Sequence, residues 1–255
     1  MYTDELKEYL EAKLVQYNQP KFIQYDPVQI PHLFKKQQDI EISGFFASIF
    51  AWGQRPTIIR KSKDLMERMD MAPYEFILHA DDKDLLRLDS FVHRTFNGTD
   101  ARHFVKALND LYTNNNTLGD YFGRLFQKYQ SVPLMISGFK KEFFSLPHQS
   151  RTQKHIADPL KGSTAKRLNM FLRWMVRKDD LGVDFGLWDS ISSSELYLPL
   201  DVHSARIARK LGLLERKTND WKAVEEITQN LRKLDARDPV KYDYALFGTG
   251  VFEKF

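Results

Sequence analysis

Apolar residues recur every three to four positions along most of the chain. In Asp4–Tyr17, the residues Leu6, Leu10 and Leu14 fall on one side, which is typical of an amphipathic helix packed on a core. Asp39–Trp52 keeps this spacing and is apolar enough to lie inside the core. The same periodicity predicts seven more helices: Pro56–Met69, Asp100–Tyr112, Leu118–Tyr129, Thr164–Val176, Val202–Leu213, Asn219–Leu234 and Val240–Phe252.

Strand patterns are missing from the sequence. No stretch combines sustained alternation of apolar and polar residues with the β-branched enrichment of a strand. Gly182–Leu198 is predicted to be an irregular connection, because it contains glycines and the serine cluster Ser190–Ser194. The sequence therefore predicts an all-α fold.

The composition is that of an ordinary folded protein. Of 255 residues, 42% are hydrophobic and 28% are charged, which gives enough apolar surface to offset the entropy of ordering the chain. Cysteine is absent, which excludes disulfides, cysteine-bound zinc, iron–sulfur clusters and thiol nucleophiles. The seven histidines show no metal-ligand spacing, and there is no glycine-rich nucleotide loop. We expect no metal and no cofactor.

The sequence also argues against a membrane protein. Its longest uncharged stretch, Ile42–Gln54, has 13 residues, whereas a helix needs about 20 to span a bilayer. The beginning, MYTDELKEYLEAK, is charged and lacks the basic-then-apolar pattern of a signal peptide. We expect a cytoplasmic protein that acts as a monomer.

The distribution of charge is more informative than the net charge of +4. From Arg151 to Lys178 there are eight Lys or Arg residues and one acid, and smaller basic clusters lie at Arg55–Lys63 and Arg206–Lys210. A clustered basic surface is typical of a protein that binds a phosphate backbone. The alternative is a set of ordinary solvated helix faces.

One glycine-containing turn precedes a basic amphipathic helix, in Pro159–Trp174. Such a turn leaves backbone N–H groups free at a helix N-terminus, where a phosphate can bind. Lys166 lies in the first turn, where the helix dipole and the cations Lys161 and Arg167 disfavour its charged form. An uncharged amine at this position is a candidate nucleophile toward an aldehyde-like carbon. The alternative is an ordinary exposed lysine.

A carboxylate begins a second informative helix, in Pro199–Leu213. Asp201 stands just before that helix, and aspartate is a favourable N-cap that contributes about 1 kcal/mol. The functional question is whether the same carboxylate also faces a cleft.

Three motifs resemble the helix-hairpin-helix DNA glycosylases, the superfamily of endonuclease III and the 8-oxoguanine glycosylases. PLDVHSARIARKLGL (199–213) resembles the motif that carries the essential aspartate. GSTAK (162–166) resembles the hairpin's Gly-x-Gly-x-Lys, with Gly162 on the first glycine and Lys166 on the catalytic lysine. AWGQR (51–55) resembles the helix end and glutamine that enter the duplex.

The resemblance extends over most of the chain. Tyr242–Gly250 is similar to the last core helix of the superfamily, and the order of the segments agrees from Ile40 to Gly250. As a whole, the chain resembles an uncharacterised bacterial family distantly related to the archaeal 8-oxoguanine glycosylases. Thr164 departs from the pattern, since it stands where the hairpin has its second glycine.

The resemblance implies one two-lobed helical unit, 1–255. One lobe, approximately 55–178, would end in the hairpin, and 1–54 with 179–255 would form the other. The helix after the hairpin and the helix after Asp201 would both open onto the cleft between the lobes.

The resemblance also implies a function: a DNA repair glycosylase with AP lyase activity on a damaged base, such as an oxidised purine, in duplex DNA. Lys166 would form a Schiff base with the sugar, and Asp201 would accept the lysine's proton or stabilise the sugar cation. Gln54 would fill the gap left by the extruded base. Residues expected to stack on the base are Trp52, Phe247 and Phe252. Residues expected to contact DNA are Gln54, Arg55, Lys161, Gly162, Ser163, Thr164, Arg167, His203 and Arg206.

Two other classes of function remain open at the level of sequence. One is a nucleic-acid-binding protein that keeps the fold without catalysis, which Thr164 in the hairpin would suit. The other is a helical scaffold for protein interactions, in which the basic clusters are incidental.

Overall fold

The computed structural model describes residues 4–253, and this part of the chain is predominantly helical. It contains thirteen α-helices within the described range. In chain order they are α1 (Asp4–Tyr17), α2 (Pro20–Ile23), α3 (Gln37–Phe50), α4 (Arg55–Arg68), α5 (Pro73–His79), α6 (Asp82–Leu86), α7 (Gly98–Thr113), α8 (Leu118–Tyr129), α9 (Val132–Phe143), α10 (Lys166–Val176), α11 (Val202–Lys210), α12 (Trp221–Leu234) and α13 (Tyr242–Phe252).

Extended structure is confined, between residues 4 and 253, to one small hairpin. Strands β1 (Val92–His93) and β2 (Phe96–Asn97) pair antiparallel. With two residues per strand, this hairpin is too small to count as a β-sheet layer of the fold. The all-α prediction is therefore confirmed. Short 3-10 turns lie at Pro27–Gln29, Pro31–Leu33, Ser150–His155, Pro159–Lys161, Ser193–Glu195 and Pro239–Lys241.

The predicted helices are all present. The first predicted helix and Leu118–Tyr129 have the predicted bounds, and the others begin or end within three residues of them. The connection between α10 and α11 contains only one short 3-10 turn among its described residues, which confirms the predicted irregular segment. The prediction missed the short helices α2, α5 and α6, and also α9. In α9, the buried Met135, Ile136, Phe139 and Phe143 follow helical spacing behind Pro133.

Helix α3 lies at the centre of the fold. Every residue from Ile40 to Phe50 is buried, and the helix packs against α4, α5 and α10. The rings of Phe45 and Phe46 lie 5.9 and 6.0 Å from the ring of Phe104 in α7. Such pairs add about 0.5–1.5 kcal/mol beyond area burial. A helix apolar on all sides needs neighbours on all sides, and the predicted core position of this segment is confirmed.

One buried carboxylate, Glu41 of α3, connects this central helix to its neighbours. It accepts hydrogen bonds from the N–H groups of Leu118 (2.8 Å) and Gly119 (3.2 Å), which begin α8. It also accepts from Tyr112 Oη (2.9 Å) and Trp188 Nε1 (2.7 Å). Glu41 thereby satisfies N–H groups that the first turn of α8 leaves without helical partners.

The two ends of the chain pack together. α1 lies along α13, and α13 also packs against α11. Tyr242 Oη donates to Glu11 (2.7 Å), and Lys13 pairs with Glu253 (2.7 Å). These contacts fix α13, and through it α11, relative to the rest of the structure.

The predicted lobe boundaries stay a prediction. Residues 1–3 and 254–255, which the predicted lobes include, lie outside the described residues. Within 4–253, no helix is long and apolar enough to cross a membrane.

Replacing Glu41 by Ala is expected to destabilise the protein strongly. Several buried donors lose their acceptor at once, and each unsatisfied buried group costs about 1–3 kcal/mol. We expect the free energy of unfolding to fall by at least about 3 kcal/mol in urea denaturation. The matched control is Glu75→Ala, which removes an exposed carboxylate paired only with Lys36 and His79 and should leave the midpoint nearly unchanged. Equal midpoints for the two variants would contradict this role of Glu41.

Candidate active site

The N-termini of α10 and α11 meet at a cleft. Lys166 is the first residue of α10, and its Nζ lies 3.6 Å from Oδ2 of Asp201, the residue that precedes α11. Both residues line a cavity of about 460 Å³. The Lys166 side chain is 31% exposed and that of Asp201 is 10% exposed, so the pair is open to the cleft and shielded from bulk water on its inner side.

The turn before α10 places Lys166 at this position. Asp158 caps the 3-10 turn by accepting from the N–H of Leu160 (3.1 Å), and Gly162 then takes a left-handed conformation with φ of 83°. Ala165 is also left-handed, with φ of 46°, which costs about 1 kcal/mol in a residue with a Cβ. These conformations delay the start of α10 to Lys166. The Gly162 carbonyl accepts from the N–H of Trp221 (3.1 Å), which ties the turn to α12.

The Asp201 carboxylate has two separate contacts. Its Oδ1 accepts hydrogen bonds from the N–H groups of His203 and Ser204, both at 2.8 Å. The predicted N-cap is therefore confirmed. Its Oδ2 faces Lys166, so capping and the contact with the amine use different oxygens.

Two further carboxyl groups, Asp26 and Asp243, line the same cleft, and sequence reasoning missed both. Asp243 accepts a hydrogen bond from Arg173, and burial raises the pKa of Asp243 to about 7 although Arg173 opposes the shift. Burial also raises the pKa of Asp26, which accepts from the N–H of Val28 (3.0 Å). A usable signal was Asp243 itself, an acid within the otherwise apolar pattern of the last helix.

The structure corrects the predicted basic surface of Arg151–Lys178. Arg173 and Arg177 are only 4% and 3% exposed, and both contact the buried Asp184, at 3.4 and 3.0 Å. Their charges are neutralised inside the protein, because buried guanidinium groups need carboxylate partners. They are therefore unavailable to a phosphate backbone.

Two more arginines of that segment also have internal partners. Arg167 donates to the Ile49 carbonyl (2.6 Å), and burial lowers the pKa of its guanidinium to about 10. Arg151 pairs with the buried Asp100 (2.8 Å). The contact of Arg167 with α3 explains why a pattern of basic residues along the sequence overstated the charged surface. The exposed basic residues of this segment are Lys154, Lys161 and Lys178.

The loop between α3 and α4 forms one side of the cleft mouth. Gln54 is exposed at the N-cap position of α4. Trp52 is partly buried and lines the cleft, and the guanidinium of Arg94 lies 4.6 Å from its ring centre. Arg94 belongs to the turn of the β1–β2 hairpin, and nothing in the sequence singled it out. Arg55 lines the cleft beside them.

The aromatic candidates separate into two groups. Phe247 lines the cleft with Trp52, and the guanidinium of Arg55 lies 4.7 Å from the Phe247 ring centre. Phe252 is 53% exposed, stacks on Tyr17 at 5.8 Å and lines a neighbouring groove of about 340 Å³. Among the described residues, Phe252 is not part of the cleft lining, so stacking on a base held there is predicted for Trp52 and Phe247 alone.

The remaining predicted DNA contacts lie near the cleft mouth. His203 and Thr164 line it, while Lys161 and Gly162 are exposed on the turn and Ser163 is half-buried beside them. Arg206 is exposed on α11 and donates to the Gly250 carbonyl (2.8 Å). Among residues 4–253, no group of three His, Asp or Glu side chains could hold a metal ion.

Comparison with known proteins identifies the family of this chain. A family model described as a protein of unknown function, DUF2400, matches residues 26–252. The chain belongs to the DUF2400 family. No curated protein and no solved structure matches it significantly. The DUF2400 region includes every residue that lines the cleft except Phe22, so the cleft lies within the part that defines the family.

Two substitutions separate the capping role of Asp201 from its contact with Lys166. Asn is as good an N-cap as Asp, so Asp201→Asn should change the free energy of unfolding by only a few tenths of a kcal/mol. Asp201→Ala removes the acceptor for two N–H groups and should cost about 1 kcal/mol. Urea denaturation measures both. An equal loss in the two variants would show that the charge, which both remove, stabilises this site and that the cap does not.

Proposed function

We propose that this chain is a DNA glycosylase with AP lyase activity, which removes a damaged base such as an oxidised purine from duplex DNA through a Schiff base on Lys166. The observation that carries the proposal is the pair formed by the Lys166 amine and the Asp201 carboxylate, 3.6 Å apart in a cleft. A cavity of about 460 Å³ falls within the usual range of small-molecule sites.

The first step replaces the bond from sugar to base by a bond from sugar to lysine. Asp201 Oδ2 accepts a proton from the ammonium, and the neutral amine attacks C1′ while the base leaves with the electron pair of the glycosidic bond. Opening of the sugar ring then moves a proton onto O4′ and gives an iminium between Nζ and C1′. The ammonium loses two protons in total. One ends on O4′, and the other compensates for the proton that the departing base takes up.

Strand cleavage follows from the iminium. The positive nitrogen acidifies the C2′ hydrogen, so loss of that proton breaks the C3′–O bond and expels the 3′ phosphate by β-elimination. Hydrolysis of the Schiff base then returns free Lys166. A carboxylate beside the reacting carbon stabilises the cationic sugar throughout.

The proposal includes the two-lobed helix-hairpin-helix arrangement and the extruded base. The base would enter the cleft between Trp52 and Phe247, both of which line it. Gln54, exposed at the start of α4, would occupy the gap in the duplex. Extrusion costs a few kcal/mol, which stacking on aromatic rings offsets at about 1–3 kcal/mol per base.

Phosphate contacts are proposed for the turn before α10 and for the start of α11. Lys161, Gly162, Ser163 and Thr164 form the turn at the N-terminus of α10. Lys161 would supply a basic side chain, and the first N–H groups of α10, which have no helical partner, favour a phosphate there. On the α11 side, His203 and Arg206 would flank the same strand. This smaller surface replaces the eight-residue basic face expected from the sequence.

Borohydride trapping tests the nucleophile. With an abasic duplex or a duplex that carries 8-oxoguanine, reduction of the iminium should leave a covalent complex, resolved from free DNA on a denaturing gel. Lys166→Ala should abolish the complex, because the attacking amine is gone. Asp201→Asn should slow trapping by about 100-fold or more, although the helix cap is kept.

The control for this experiment is Lys83→Ala, which removes an exposed lysine of α6 that does not line the cleft. It should trap as the wild type does. Full trapping by Lys166→Ala would contradict the proposal. Duplex binding without trapping in the wild type would favour the non-catalytic binding protein instead.

Salt dependence tests the phosphate contacts. Binding of an undamaged duplex should weaken as salt rises, with a log–log slope of about −0.9 for each phosphate contact. Lys161→Glu should weaken binding equally for all sequences and reduce the slope by about one, because phosphate contacts carry no sequence information. Lys128→Glu in α8, a lysine that does not line the cleft, serves as the control of equal charge. Identical slopes for the two variants would favour the interaction scaffold.

A further inference from the structure

Asp243 is a buried carboxyl group of the cleft lining. Its side chain is 8% exposed, whereas the Lys166 side chain is 31% exposed. Arg173 donates to Asp243 Oδ2, and no hydrogen bond of the described residues uses Oδ1. The group therefore has one oxygen held by the protein and one oxygen available to a molecule in the cleft.

The surroundings of Asp243 contain more carboxyl groups than cations. Asp184 contacts both buried arginines and accepts from Tyr244 Oη (2.8 Å), so it is the carboxylate best compensated in its charged form. A buried cluster with an excess of acids keeps protons on its least compensated members. Ion pairs connect four carboxyls, Asp179, Asp184, Asp238 and Asp243, to two cations, Arg173 and Arg177. The separate pair of Lys166 and Asp201 lines the same cleft as Asp243.

The proposed reaction needs a proton for the departing base. When the base leaves C1′, the electron pair of the glycosidic bond stays on the base nitrogen, and a purine anion is a poor leaving group without an acid beside it. Lys166 and Asp201 would act at the sugar. Asp243 lines the same cleft, and the base would lie between it and the aromatic rings.

We propose that Asp243 is the general acid that protonates the departing base. This assignment rests on the proposed function and divides the chemistry, with Lys166 and Asp201 acting at the sugar and Asp243 acting at the base. The carboxyl proton of Asp243 moves to the base nitrogen as the C1′–N bond breaks. The second proton lost by the Lys166 nitrogen then returns to Asp243, so the proton count closes over one cycle.

Comparison of two substrates isolates this role. The probes are one duplex that carries 8-oxoguanine and the same duplex with an abasic site, from which no base must leave. Asp243→Asn keeps an oxygen for Arg173 and removes the acidic proton. It should slow release of 8-oxoguanine by at least about 100-fold, while borohydride trapping on the abasic duplex stays within about threefold of wild type.

The matched control is Asp238→Asn, which alters a carboxyl of the same cluster that contacts Arg177 and does not line the cleft. It should leave both readouts near wild type. If Asp243→Asn releases 8-oxoguanine at the wild-type rate, the assignment is overturned. An equal loss of activity on both substrates also overturns it, because an equal loss indicates a structural role. A wild-type protein that traps the abasic duplex but releases no 8-oxoguanine overturns it too. Trapping on neither duplex contradicts the proposed function itself.

The pH profile gives a second readout. Charged groups that act on Asp243 are Arg173 and Lys166 on α10, Asp201 before α11, and Asp184 in the connection. The other titratable or charged groups of the cleft lining are Asp26, Arg55 and His203. Burial raises the pKa of Asp243 to about 7, and the acid form is the active one, so activity falls as pH rises. The ratio of 8-oxoguanine release to abasic trapping, in which the step at the sugar is common to both, should fall about tenfold from pH 6 to pH 8. A flat ratio in the wild type overturns the assignment.

Discussion

The position of the candidate site depends on the ion pairs between two buried arginines of α10 and carboxylates from distant parts of the chain. Arg173 pairs with Asp184 in the irregular connection and donates a hydrogen bond to Asp243 in α13. Since α13 packs against α11, these pairs fix the N-terminus of α11 relative to α10. Removing Asp184 would leave both guanidinium groups without the carboxylate that they share, and breaking a buried pair in this way costs about 3–5 kcal/mol. The proximity of Lys166 to Asp201 is thus a consequence of charges that lie inside the protein.

Much of the fold was predictable, because helical periodicity and caps act over a few residues. Asp201 capped its helix as predicted, and the glycine turn at Gly162 preceded α10. Which of the arginine side chains point into the protein was not predictable from the sequence. Arg173 meets Asp243, which lies in another helix 70 residues further along the chain, and a local pattern of basic residues carries no information on such partners. Helix α9 was overlooked although its apolar residues have helical spacing.

The cleft combines two environments that suit different chemical tasks. The Lys166 amine is partly solvated and lies at the N-terminus of α10, whose first N–H groups have no helical partner. Asp243 and Asp26 are buried, and burial raises the pKa of both carboxyls. Environments that separate the protonation states of neighbouring acids are typical of sites that use acid and base catalysis together. The DUF2400 region spans both parts of the cleft.

The most direct test of the account is the identity of the residue that becomes linked to DNA. An abasic duplex is incubated with the protein, reduced with borohydride, and digested, and the adduct is located by tandem mass spectrometry. The account predicts a single modified residue, Lys166, with Asp201→Asn giving less of the same adduct. An adduct on any other lysine, or no adduct while the protein stays folded and binds the duplex, would contradict it.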